Sequence, residues 1–134
     1  MLPALGIDYG RVHLGLAIAI EPLAQPLAAL SKTRMFSLLP ELVSRHHLRT
    51  IIIGLPDGEL HAEVAKFAVQ IGDLLPAPKP QIICFDETLS THDAIEALSH
   101  TSPRARKLKE HSAAAAIILQ SWIDSWPSSD VKSG

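Results

Sequence analysis

Apolar runs alternate with helix-spaced segments along the whole of this chain. Ala4-Leu5-Gly6-Ile7 offers no polar residue before Asp8, and a strand that is apolar on both faces belongs in the middle of a sheet. Gly10, a polar turn at Arg11-Val12-His13, and a second apolar run from Leu14 to Ala19 follow. Residues 4–19 therefore predict a β-hairpin. Glu21-Pro22 ends its second strand, and residues 23–30 supply a third, which Pro22 and Pro26 assign to a sheet edge where missing N–H donors are tolerated.

The period then changes from two to 3.6. Met35, Leu38, Leu39, Leu42 and Val43 predict an amphipathic helix over about 34–47, with Pro40 either kinking it or sitting in its first turn. Arg45, His46, His47 and Arg49 give that helix a basic end, which suits the negative pole of its dipole. Thr50 to Leu55 is β-branched and apolar, a second central strand closed by Pro56. Asp57-Gly58 marks a turn, and Val64, Phe67, Ala68, Ile71 and Leu75 predict a helix over 59–75.

After a Pro-rich linker at 76–80, Gln81-Ile82-Ile83-Cys84-Phe85 reads as a third buried strand that delivers Asp86 and Glu87 to its end. Ser90 or Thr91 can cap a helix over 92–99. Residues 100–109 read as a basic loop, with Pro103 breaking any long helix, and a final helix is expected over 110–126. Three antiparallel strands followed by two parallel strands on helical crossovers give an α/β fold, a five-stranded mixed sheet flanked by helices.

Composition narrows the class. With 134 residues, 47% of them apolar, the chain can bury one core. A single domain over 1–126 is expected, with a polar, disordered tail over 127–134. A net charge of −2 excludes bulk electrostatic coating of nucleic acid, so any such contact must come from local basic patches. The single cysteine, Cys84, reads as a small buried hydrophobe in a reducing compartment. No apolar stretch is long enough to span a bilayer, and no charged segment precedes the first apolar run, so a cytoplasmic protein with no membrane partner is expected.

The candidate chemistry gathers at strand ends. An ionised carboxylate at the end of a central strand is costly unless a cation or donors neutralise it, so Asp8 calls for a partner. Gly10 and Gly15 flank it, and glycine in a strand marks a bulge or the close approach of a ligand or another backbone. A bare patch beside an acid suits a metal ion and a phosphate; a capped turn shaped by glycines is the plainer alternative. Asp86 and Glu87 stand where open α/β sheets bind ligands, at the carboxyl ends of strands. Arg11, Arg104, Arg106, Lys107 and Lys109 are the candidates for contact with a nucleic-acid backbone, although such clusters also serve simply to solvate a loop.

Gly6-Ile7-Asp8-Tyr9-Gly10 with Gly15-Leu16-Ala17, then Ile53-Gly54-Leu55-Pro56, Phe85-Asp86-Glu87 with Ser90-Thr91, and Ala113 to Gln120 resemble, in order, the signatures of the YqgF/RuvX family. The resemblance implies a ribonuclease H-like fold related to RuvC-type Holliday junction resolvases. It implies a nuclease that processes the 5′ end of the small-subunit (16S) ribosomal RNA precursor, with junction resolution as a proposed alternative activity. Position by position, Asp8 matches the first-strand metal ligand, and Glu87, with Asp86 beside it, matches the acidic pair after the last strand. The family's Asp at the start of the final helix is replaced by His111. Glu110 lies about 100° around the helix from that position and is no simple substitute. The segment after Pro56 is also shorter than in related sequences.

Phosphodiester hydrolysis fits that resemblance, since divalent ions held by carboxylates activate water and neutralise the leaving oxygen. The implied cofactor is Mg²⁺ or Mn²⁺ at a two-metal site. Imidazole in place of an acid favours Mn²⁺. The implied partner is structured RNA or branched DNA, and a resolvase cutting two strands symmetrically would be a homodimer. A competing expectation is a nucleic-acid-binding module that kept this fold and lost its chemistry. The sugar kinase and actin clan, with a similar acid and glycine motif, needs two such domains around its nucleotide and is set aside.

Overall fold

In the computed structural model the described residues are 2–55, 60–86 and 103–125, with side chains not described at 86 and 103–110. Strands β1 (Ala4–Asp8), β2 (His13–Ala19) and β3 (Gln25–Ser31) precede helix α1 (Lys32–His46), and β4 (Thr50–Leu55), α2 (Leu60–Leu74), β5 (Gln81–Asp86) and α3 (Pro103–Asp124) follow. The five strands form one sheet in the order β3-β2-β1-β4-β5. The pairs β1–β2 and β2–β3 are antiparallel, whereas β1–β4 and β4–β5 are parallel. This is the mixed sheet that the alternation of apolar runs and helical spacing predicts.

Side-chain alternation divides the core into two layers. Leu5, Ile7, Leu14, Leu16, Ile51 and Ile53 face one side and pack against Met35 and Leu39 of α1 and Val64, Phe67 and Ile71 of α2. Ala4, Ala17, Ala19 and Ile52 face the other and meet Ala115, Ile118, Leu119, Trp122 and Ile123 of α3. Three of these four strand residues are alanines, and Gly6 lies in line with them, so that helix lies close on the sheet. At Gly6 a Cβ would come 2.9 Å from the Ala115 carbonyl oxygen and 2.8 Å from Leu119 Cβ.

Local signals account for most boundaries. Ser31 caps α1, its Oγ accepting the Arg34 N–H at 3.2 Å. His47 ends the helix in the left-handed region at φ 53° and donates its N–H to the Val43 carbonyl. Pro40 lies within α1 and not in its first turn, so the Phe36 carbonyl receives no N–H from it. Pro26 sits on the edge strand β3 opposite Ala17, beside a register shift at Leu16/Ala17.

Two expectations are corrected. Pro103 opens α3 instead of breaking a helix, because a proline at the first helical position lacks only an N–H that would have had no helical partner. The basic segment read as a loop over 100–109 is therefore helical from residue 103, and the final helix starts seven positions earlier than its apolar spacing suggests. Cys84 is exposed, not buried, because β5 has a partner only on its β4 side among the described residues. Partial desolvation still raises the Cys84 thiol pKa above its ordinary value. The helix expected over 92–99 and the tail over 127–134 lie outside the described residues. No helix among the described residues is long and apolar enough to cross a membrane.

Candidate active site

Strand parity puts Asp8 on the α3 side of the sheet, in line with Ala4 and Gly6. It ends the central strand β1, directly opposite Gly15 of β2. Gly15 carries no side chain for a geometric reason: a Cβ there would overlap the backbone carbonyl of His111 and come within 2.8 Å of the Ser112 nitrogen. What approaches this glycine is the backbone of α3. That approach sets His111 over the end of β1, with its Nδ1 3.6 Å from Asp8 Oδ2.

Both side chains remain partly open to solvent, at 24% for His111 and 27% for Asp8. Neither is sealed in the core. Gly10 keeps the next turn compact, since a Cβ there would overlap the His13 carbonyl oxygen and come 3.4 Å from His111 Cε1. The His13 ring stands 6.4 Å from the His111 ring, centroid to centroid. Sequence reasoning passed over His13; its position in the turn two residues before Gly15 was the available signal.

Tyr9 points to the opposite layer, where its ring lies 4.9 Å from Phe67 and Phe67 lies 5.7 Å from Phe36. Its hydroxyl accepts a hydrogen bond from Lys32 Nζ at 2.8 Å. Arg11, in the turn, lies 3.5 Å from Glu63 of α2 in an exposed ion pair. Such a pair contributes little to stability.

The remaining candidates fall differently. The Asp86 backbone pairs with Leu55 at the ends of β5 and β4, on the same carboxyl edge as Asp8. β5 is two strands from β1, which places the two backbones about 10 Å apart at the usual strand spacing. Glu87 lies outside the described residues. Arg104, Arg106, Lys107 and Lys109 occupy the first turns of α3, on the segment leading to His111, and their side chains are not described. Among the described residues no three His, Cys, Asp or Glu side chains gather as a metal-binding group.

A mixed five-stranded sheet with a hairpin, two parallel strands, helices on both faces and an acid ending the central strand defines a ribonuclease H-like fold. Solved structures agree. Thermus thermophilus RuvC, in complex with a Holliday junction substrate, superposes with a TM-score of 0.55 at 16% identity, covering 92% of this chain and 94% of that one. The Fowlpox virus resolvase, in complex with Holliday junction DNA, gives 0.57 at 10% identity, covering 92% and 98%. Likeness at these identities speaks to the fold alone. The sequence goes further: residues 3–125 match the family model RuvX, described as Holliday junction resolvase, and the chain belongs to that family. A relative from Anaeromyxobacter sp. (strain Fw109-5), named "Putative pre-16S rRNA nuclease", is 34% identical over 130 residues, covering 90% of this chain and 95% of its own. One of the same name from Syntrophus aciditrophicus (strain SB) is 32% identical over 133 residues, covering 90% and 87%.

Proposed function

We propose that this protein is a divalent-metal-dependent nuclease that hydrolyses phosphodiester bonds in the 5′-end processing of pre-16S ribosomal RNA. The observation that carries the reading is the pairing of Asp8 with His111 at the end of the central strand, in a chain whose full-length relatives bear a nuclease name. A partly exposed carboxylate facing an imidazole at a sheet's carboxyl edge stands where open α/β sheets bind their ligands.

The donor set fits a divalent ion. Two ligands about 2.1 Å from one ion stand about 3.0 Å apart on adjacent octahedral corners and about 3.4 Å apart on tetrahedral corners, and the 3.6 Å between Asp8 Oδ2 and His111 Nδ1 is within a few tenths of that range. Asp8 and His111 would hold the ion, with Glu87 and Asp86 as the further acids that the family resemblance supplies. Bound divalent ions would lower the pKa of an attacking water and neutralise the leaving oxygen. Asp8 contributes a negative charge, and His111 a nitrogen donor that suits Mn²⁺ better than Mg²⁺.

The test is cleavage of matched single-stranded RNA, duplex RNA and four-way DNA junctions, in Mg²⁺ and in Mn²⁺, beside Asp8→Asn. The expected result is metal-dependent cleavage of RNA that Asp8→Asn abolishes, faster in Mn²⁺. Preferential cleavage of the junction would favour the second reading, a Holliday junction resolvase, which the family description and the junction-bound structural neighbours motivate. Binding without cleavage in either ion would overturn both in favour of a binding module.

A further inference from the structure

We infer that Lys32, held in place by the Tyr9 hydroxyl, is a contact for a backbone phosphate of the nucleic acid lying beside the Asp8 centre; this rests on the nuclease reading above. Lys32 is the first residue of α1 and is half-buried. Its ammonium donates to Tyr9 Oη at 2.8 Å and lies 5.0 Å from the centre of that ring. Tyr9 is itself buried and packed against Phe67, so the acceptor is fixed. Among the described residues no carboxylate pairs with this ammonium. Among the described residues the hydrogen-bond partner of this half-buried cation is a neutral hydroxyl, which leaves its positive charge for an anion from outside to offset.

The location matches the partner. Tyr9 follows Asp8 in the chain, and Ser31, the residue before Lys32, pairs with His13 at the start of β2. The turn after Asp8 and the start of α1 thus share the carboxyl edge of the sheet. Because Asp8 and Tyr9 point to opposite layers, Lys32 would meet a phosphate flanking the one that is cut. The first turn of α1 also carries no acid, and its charges are Lys32 and the exposed Arg34. Helix dipoles favour acids there, so these cations run against the intrahelical preference. The backbone end of the helix is not the feature in question, since Ser31 already accepts the Arg34 N–H.

Equilibrium binding of the full-length protein to labelled single-stranded RNA and to a four-way DNA junction, in EDTA and over a range of salt, tests the inference. Lys32→Met and, as a second neutral variant, Lys32→Gln are expected to weaken binding about three- to tenfold at low salt. They should reduce the slope of log K against log salt by about 0.7 if single-stranded RNA is contacted and about 0.9 if duplex arms are. Lys32→Arg should restore the slope. Tyr9→Phe keeps the ring and removes the hydroxyl, so it should weaken binding while preserving the slope. Folded Lys32→Met and Lys32→Gln proteins with wild-type affinity and slope would overturn the inference and leave the nuclease reading standing. Wild-type protein that binds neither probe, in EDTA or with Ca²⁺ in its place, would overturn both.

Discussion

The backbone carbonyl of His111 rests on Gly15, the residue paired with Asp8 across the first hairpin, so the helix and the acid are located by one glycine. Gly15→Ala would drive a methyl into helix backbone, which cannot rotate away. The expected cost is about 3 kcal/mol, at the upper end for overpacking, read as a lowered denaturant midpoint. Cleavage should fall further than the loss of folded protein explains, because His111 moves relative to Asp8.

Gly54→Ala offers the contrast. A Cβ there would come 2.5 Å from Ile118 Cδ1, the far end of a flexible side chain. Ile118 can change rotamer, so the expected cost is about 1 kcal/mol. Parallel urea titrations of the two variants check the order, and an equal loss for both would refute the distinction between backbone and side-chain obstruction.

His111→Asp should exchange metal preference. A second carboxylate suits a hard ion, so the Mg²⁺-supported rate is expected to rise about tenfold relative to the Mn²⁺-supported rate, about 1.4 kcal/mol in the difference of barriers. Initial rates at saturating concentrations of each ion check this. An unchanged ratio would separate His111 from the metal.

Gln120 ties the connection between β2 and β3 to α3: its Oε1 accepts the Ala24 N–H at 2.8 Å, and its Nε2 donates to Asp124 Oδ1 at 3.0 Å. Gln120→Ala removes the acceptor from a partly buried amide and should cost about 1 kcal/mol. Amide exchange at Ala24 should accelerate, and a protected Ala24 in the variant would show that the amide has another acceptor.

The sheet was legible because its evidence is local. Ala4 to Ile7 has no polar face, Thr50 to Leu55 is β-branched, and Pro26 belongs at an edge; each property survives without knowing what packs on it. Pairing of Gly15 with Asp8 also follows from the hairpin; the glycine there is compatible with close approach of a ligand or of another backbone, and it is the backbone of α3 that fills the space. Tertiary facts were harder. Pro103 is equally compatible with ending a helix and starting one, and the apolar face that betrays α3 begins only where the helix reaches the sheet. Cys84 lies in a run as apolar as the central strands, and only the sheet order shows that β5 has one described neighbour. The approach of His13 to His111 depends on how α3 crosses the hairpin, which no spacing within either segment records.

Asp8 and His111 come from opposite ends of the sequence, and α3 completes the second core layer as it brings them together. Translation delivers the carboxylate 103 residues before the imidazole. A chain in which α3 has not yet been made therefore carries the carboxylate without its imidazole partner, and the nuclease proposed above would have no assembled centre until that helix had been synthesised and packed.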